Sequence, residues 1–326
     1  MEFFISRHGP NRTTATLNRS FLSEAGSRLF VLPRLHPELI PVALALAIPT
    51  LILFAYFVYQ DYLAFLALGP GGTPSTPLGY LRICLLKVFA LRNTLKCSPI
   101  PDHLRNTGFL RDPLPARRSA RPVVVGIAPH RQKSQNPSAT IYETLSNRIK
   151  QLAVDFPEKL EIKVSAFEKH CAALFSRASG LEGTKGRGEV CHAHDSDGSM
   201  HMTLHPEDIK RVVEAGWGER HPLARGGFFC RFVPQEFIMV YAPRTEEEVE
   251  IVMQIIYAGI GWISGEEFPP VPRSCCGANV SISVNTGRNG TSASVNVNKG
   301  PVAAASFVAP GPPHPEVDER VQATAS

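Results

Sequence analysis

Cys191-His-Ala-His-Asp-Ser-Asp-Gly-Ser-Met-His-Met-Thr-Leu-His205 is the stretch on which the fold turns. Glu189 to His194 and Ser199 to His205 alternate apolar and polar residues, the period of a strand with two unlike faces. Asp195-Ser-Asp-Gly198 between them has turn chemistry. The two segments therefore read as a β-hairpin. Alternate residues on a strand share a face, so His192 and His194 point one way, and His201, Thr203 and His205 share a face on the partner. If these faces coincide, three or four imidazoles gather on one side of the hairpin, with Asp195 at its end.

The flanking chain completes a domain. Thr140 to Val154 places Ile141, Leu145, Ile149 and Leu152 at near-helical spacing, and Pro157 stops the helix. Leu160-Glu-Ile-Lys-Val164 alternates as a strand. Phe167 to Ser176 reads equally as a short helix or a strand. Pro206-Glu-Asp208 opens a helix, with proline at its first position and acids in its first turn, and Gly216 ends it. Glu236 to Tyr241 is a strand. Thr245-Glu-Glu-Glu248 is a capping box before a helix running to about Gly261. The expected class is α+β: a small antiparallel sheet with packed helices over residues 138–265, preceded by one transmembrane helix.

That transmembrane helix is Leu39 to Tyr59, 21 residues without a charge, about the length that crosses a bilayer. Tyr56 and Tyr59 stand where an interfacial aromatic belt falls. Residues 1–38 are polar, arginine-bearing and aperiodic, and are expected to be disordered. Arg7, Arg12, Arg19, Arg28 and Arg34 before the span put the N-terminus in the cytosol. The basic stretch from Arg92 to Lys133 suits an anionic cytosolic leaflet instead, and the topology stays open. Asn279-Val-Ser and Asn289-Gly-Thr are sequons that matter only in a lumen. Residues 60–137 read as a juxtamembrane segment. Within it, Leu78 to Leu91 is apolar with Arg82 and Lys87, and suits either the membrane interface or packing on the domain. Cys97 to Asn136, rich in proline and arginine, reads as a linker or an extended wrap. Residues 266–326 are rich in Gly, Asn, Ser and Pro, and are expected to be disordered. The expected location is a membrane, single-pass, in the endoplasmic reticulum.

Composition removes several classes. The formal charge is only +5 over 326 residues, and the arginines are not interleaved with stacking aromatics, so no nucleic-acid partner is expected. Seven cysteines show no CxxC and no metal-finger spacing. P-loop, GxSxG, GxGxxG and HExxH patterns are absent, which leaves nucleotide hydrolases, α/β-hydrolases and zincins unsupported.

The candidate catalytic residues are His192, His194, Asp195, His201, Arg220 and His221. Two chemistries suit the histidines. One is a metal centre at His192, His194 and His201. The other is a metal-free acid–base site, in which one imidazole takes a proton and a carboxylate fixes its tautomer. Candidate substrate contacts are Trp217, presented by Gly216-Trp-Gly218, then Tyr241, Arg244 and His170. Trp217 suits a core anchor as well as a stacking surface. Arg244 follows a strand end just before a helix, as an anion clamp would. Phe167-Glu168-Lys-His170 adds a further acid–imidazole pair.

At these residues the chain resembles the fungal luciferases, enzymes that oxidise 3-hydroxyhispidin in luminous mushrooms. The resemblance runs through Asp61-Tyr62, Phe65-Leu66, Gly69-Pro70, Phe167-Glu168-x-His170 and His192-x-His194-Asp195. It continues through His201, Leu204, Gly216-Trp-Gly-x-Arg-His-Pro-Leu-Ala224, Tyr241-Ala-Pro-Arg244, Glu246 to Glu248 and Ile260-Gly261. It spans roughly Tyr59 to Gly265. It implies oxygenation of a 3-hydroxy-2-pyrone or related phenolic polyketide by O2, loss of carbon dioxide, and no organic cofactor. On that reading His194 or His201 deprotonates the enol, Arg220 or Arg244 meets the enolate, and Trp217 buries the substrate. The N-terminal extension and the tail are longer than in the luminous enzymes, and relatives occur in fungi that do not glow, so the resemblance supports fold and membrane anchoring but does not assure light emission. A non-catalytic member binding a small molecule or a partner at the membrane is the alternative.

Overall fold

The computed structural model describes residues 38–178 and 186–268, and the backbone of 279–287 and 290–298. The expectation of disorder over 1–38 concerns residues outside this range, except Glu38. The chain divides into two units, residues 1–61 and 62–326. The first contains most of α1 (Leu39–Leu66), a helix long and apolar enough to cross a membrane. It outruns the uncharged segment by seven residues, because nothing from Gln60 to Leu66 breaks a helix.

The second unit is built on a six-stranded antiparallel sheet. Its strands are β3 (Leu160–Val164), β4 (Ala172–Ser176), β5 (Glu189–Ala193), β6 (Met200–Thr203), β7 (Gly218–Arg220) and β8 (Phe237–Val240). The spatial order is β3-β4-β5-β6-β8-β7. The hairpin forms as its alternation requires, with Cys191 opposite Met202 and His192 opposite His201. Phe167 to Ser176 resolves into a turn followed by strand β4. Strand β7 begins at the second glycine of Gly216-Trp-Gly218. Gly218 allows it, since a Cβ there would meet the Met239 carbonyl oxygen at 2.4 Å.

The two faces of the sheet differ. One carries Leu174, Cys191, Met200, Met202, Ile238 and Val240, and belongs to the main core. Helices α3 (Ala139–Asp155) and α5 (Glu246–Ser264) pack against it. Ser138 caps α3 by accepting from the Ile141 N–H, and Thr245 caps α5 by accepting from the Glu248 N–H. Helix α5 buries Val249, Val252, Ile255, Ile256, Ile260 and Ile263, each worth about 1.5–3 kcal/mol of transfer free energy. Helix α4 (Pro206–Glu214) packs at the β7 end, its first turn capped by His205.

The opposite face, with His192, His201 and Phe237, is covered by chain that the sequence reads as juxtamembrane. The boundary expected at residue 138 therefore moves to the start of the second unit at Tyr62. Residues 97–136 form a wrap: Leu110 and Ile127 are buried, and Arg121 donates to the Val213 and Gly218 carbonyls. Strands β1 (Val124–Gly126) and β2 (His130–Gln132) form a small antiparallel ladder within it. Helix α2 (Pro77–Lys87) does two things at once. Ile83, Tyr80 and Leu86 join a second core with Phe65, Leu223 and Phe237, while Leu78, Leu81 and Leu85 stay exposed.

At the C-terminal side the core extends past residue 265, since buried Phe268 packs on Phe156. Strands β9 (Asn279–Gly287) and β10 (Gly290–Asn298) pair in a nine-residue ladder, where no regular structure was expected. Val280, Ile282 and Val284 alternate and lie opposite Val297, Val295 and Ala293, a period-two signal concealed by the Ser and Asn between them. The rest of the tail lies outside the described residues.

Candidate active site

Five histidines and three carboxylates meet on the second face of the sheet, and an irregularity in β5 helps to gather them. Glu189 and His192 are three apart and would face opposite ways on a regular strand. Opposite Leu174 and Phe175 of β4 the register slips, so that Val190 is an extra residue. A bulge of this kind reorients the chain locally. Glu189 thereby comes to accept a hydrogen bond from His192 Nδ1, with both side chains buried. Ser165 Oγ also donates to Glu189, at 2.9 Å.

His194 is oriented by the hairpin turn. The Gly198 N–H donates to the His194 carbonyl and the His194 N–H to the Ser199 carbonyl, each at 2.8 Å. Gly198 adopts φ +72°, which glycine takes without strain. Asp197 accepts from the Ser199 N–H and hydroxyl, which leaves Ser199 Oγ to accept from His194 Nδ1 at 3.0 Å. His194 Nε2 then lies 3.2 Å from His201 Nδ1 and 3.4 Å from Glu168 Oε1. His192 Nε2 lies 3.3 Å from the same His201 Nδ1.

Two further histidines close the group. His130 of β2 reaches His201 Nε2 through Nδ1 at 3.1 Å, with its ring stacked on the His201 ring. His221 donates from Nε2 to the Ile127 carbonyl at 3.0 Å, and its Nδ1 accepts from the Leu223 N–H at 3.1 Å. Both His221 nitrogens are thus occupied by the backbone. Burial pushes it down to about 4, against the pull of the Ile127 carbonyl. Burial and neighbouring imidazoles also hold His130 and His201 well below the ordinary histidine value. Burial would raise Glu168, but His194 and Arg131 beside it outweigh burial and hold its carboxyl well below the ordinary carboxylate range. Arg131 pairs with Glu168 at 2.8 Å, deep in the structure.

The cluster lies between two cavities. One, of about 270 Å³, is lined by His130, His192, His201 and His221, with Phe167 and Phe237 as aromatic walls. Arg82, Arg187 and Arg231 supply positive charge to its lining. The other, of about 260 Å³, is lined by His194, Asp195, His170, Tyr142 and Cys171. Glu168 borders both. These volumes fall near the small end of small-molecule sites. Glu168, His192, His194 and His201 each offer a ligand atom within 4.8 Å of the others and could hold a metal ion.

Of the residues singled out in the sequence, His192, His194, His201 and His221 come together, and Asp195 and His170 line the second cavity. Four do not join them. Trp217 is buried in the main core and donates to the Pro115 carbonyl at 2.7 Å. The Tyr241 hydroxyl donates to Glu219 at 2.8 Å. Arg220 donates to the Lys96 and Ala224 carbonyls. Arg244 forks onto Glu248 and also reaches the Arg118 carbonyl. None of the four lines either cavity, and each is held by bonds within the protein. Sequence reading missed His130, Glu189, Asp197 and the ligand geometry of Glu168. The Phe167-Glu168-x-His170 pair was the one available signal.

The fold is an α+β domain that buries imidazoles and carboxylates between two small cavities. Comparison with known proteins gives the family. Residues 187–259 match the family described as Luciferase domain. The chain is 33% identical over 236 residues to the luciferase of Armillaria mellea, across 68% of this chain and 87% of the relative. The Armillaria ostoyae luciferase gives the same figures. The Neonothopanus nambi luciferase is 31% identical over 225 residues, across 64% of this chain and 82% of the relative. No solved structure matches. The chain belongs to the fungal luciferase family. His130 and Glu168 lie outside the matched luciferase segment.

Proposed function

We propose that this protein is a membrane-anchored oxygenase that adds O2 to a hydroxypyrone or related phenolic polyketide in the cavity lined by His192 and His221, without an organic cofactor. The observation that carries this reading is the Glu189–His192 pair. The carboxylate accepts a hydrogen bond from Nδ1–H and so leaves the Nε2 lone pair on the cavity side as a base. His192 removes the enol proton. The resulting enolate supplies the electrons for C–O bond formation with O2. The peroxide so formed breaks down with loss of carbon dioxide, so substrate and O2 balance product and carbon dioxide with no external reductant. Arg187 and Arg231 line that cavity, and on this reading they, rather than Arg220 and Arg244, meet the enolate. Phe167 and Phe237 give it an apolar wall. Helix α1 supplies the anchor, and the endoplasmic reticulum is the membrane to test first.

The test is oxygen uptake, carbon dioxide release and photon emission by the full chain with 3-hydroxyhispidin, beside His192→Gln. Removing a general base typically costs ~10²–10⁴-fold in rate. Uptake that depends on His192 supports the reading, with or without light. Uptake unchanged in His192→Gln, or no uptake and no binding by folded protein, overturns it.

A further inference from the structure

We infer that Glu168, His192, His194 and His201 form a binding site for one divalent first-row transition cation. Four independent features of the cluster converge on this.

The first is spacing. Two nitrogens bonded to one tetrahedral cation at ~2.1 Å stand about 3.4 Å apart. The His194 Nε2 to His201 Nδ1 and His192 Nε2 to His201 Nδ1 separations are 3.2 and 3.3 Å. Glu168 Oε1 is 3.4 Å from His194 Nε2. The second feature is the outer shell. Histidine ligands of metals bond their other ring nitrogen to a carboxylate or another polar partner. Here His192 Nδ1 meets Glu189, His194 Nδ1 meets Ser199 backed by Asp197, and His201 Nε2 meets His130.

Third, protons are too few. With the Nδ1 protons of His192 and His194 committed outward, both Nε2 atoms present lone pairs to His201 Nδ1. That atom carries one proton at most, and it makes a linear bond to only one of them. A cation accepts all three lone pairs at once. Fourth, charge is unbalanced. Glu168, Glu189 and Asp197 are buried, and Arg131 is the buried guanidinium set against them. If the imidazoles are neutral, a deficit of two positive charges remains, and a divalent ion supplies them.

The other trio of close histidines, His130, His201 and His221, is a poorer site because backbone groups occupy both His221 nitrogens. Imidazoles with one carboxylate suit iron(II), cobalt, nickel or zinc rather than calcium or magnesium. The cavities on either side leave room for a further oxygen ligand. An ion and a proton compete for the His192 Nε2 lone pair, so His192 acts as a base only in the metal-free chain. The metal site stands apart from the substrate reading, because it is assayed with no substrate present.

The experiment uses tag-free full-length protein in detergent. It measures metal content on purification, then titrates the chelator-stripped chain with cobalt(II) and follows visible d–d absorption and thermal unfolding. The expected result is an end point at one equivalent, with a rise in unfolding temperature. Glu168→Gln and His201→Asn should abolish the bands. Glu189→Gln, which removes only an outer partner, should weaken binding ~10–100-fold. Absence of bands in the wild-type titration overturns the proposal by itself, even where a histidine variant fails to fold. Bands of unchanged affinity in both Glu168→Gln and His201→Asn would show an adventitious ion and overturn it equally.

Discussion

Glu189 and His192, three residues apart on one strand, face each other because a single extra residue at Val190 turns the strand between them. The bulge converts a core strand into the support of a polar centre. Glu189 lines neither of the two cavities and is a positioning residue. Glu189→Gln keeps the shape but loses the charge that holds the His192 tautomer. Oxygen uptake with 3-hydroxyhispidin should fall ~10–100-fold, through kcat rather than KM, with little change in unfolding temperature. Full kcat in this variant would remove Glu189 from the mechanism.

Arg131 and Glu168 make a second buried relationship, with side chains only 7% and 6% exposed. Removing one partner of such a pair strands the other charge and costs ~3–5 kcal/mol. Arg131→Met should therefore lower stability by that amount in denaturant unfolding of the detergent-solubilised chain. Arg131→Met with Glu168→Met should recover part of the loss. An Arg131→Met effect under ~1 kcal/mol would mean that the carboxylate is not stranded.

Much of the site was legible in sequence, and the failures have physical causes. The hairpin and its three histidines follow from a period of two, which no tertiary contact overrides. His130 did not, because β2 is three residues long and lies within a Pro- and Arg-rich stretch that resembles a linker. Glu189 did not, because a bulge breaks the alternation that assigns faces. Trp217, Arg220, Tyr241 and Arg244 lie away from both cavities, bonded within the protein. A motif tells that side chains are constrained, but not whether the constraint is a ligand or the protein itself.

Trp217 tests that distinction directly. Its indole is 2% exposed, donates to the Pro115 carbonyl, and lies beneath the Arg117 guanidinium. Trp217→Phe removes that donor and part of the ring volume, and should cost ~1–3 kcal/mol of stability while leaving KM for the pyrone unchanged. A raised KM at wild-type stability would return Trp217 to the substrate.

Arg244 and Glu248 offer a test by pH. Burial would push the Glu248 carboxyl up, but the Arg244 side chain and its backbone N–H donate to it and hold it below the ordinary 4.5, helped by Arg117. A carboxylate whose folded value is depressed stabilises the fold above its unfolded value, and loses that contribution as the pH falls through the folded one. Wild type and Glu248→Gln should therefore differ in stability at pH 6 and converge below 4.5. The pair is partly solvated, so the difference should be only ~0.5–1 kcal/mol. Uptake of O2 at saturating pyrone should be the same in both, since neither residue lines either of the two cavities. A stability gap that persists unchanged to pH 3 would mean that Glu248 contributes through packing and not through its charge.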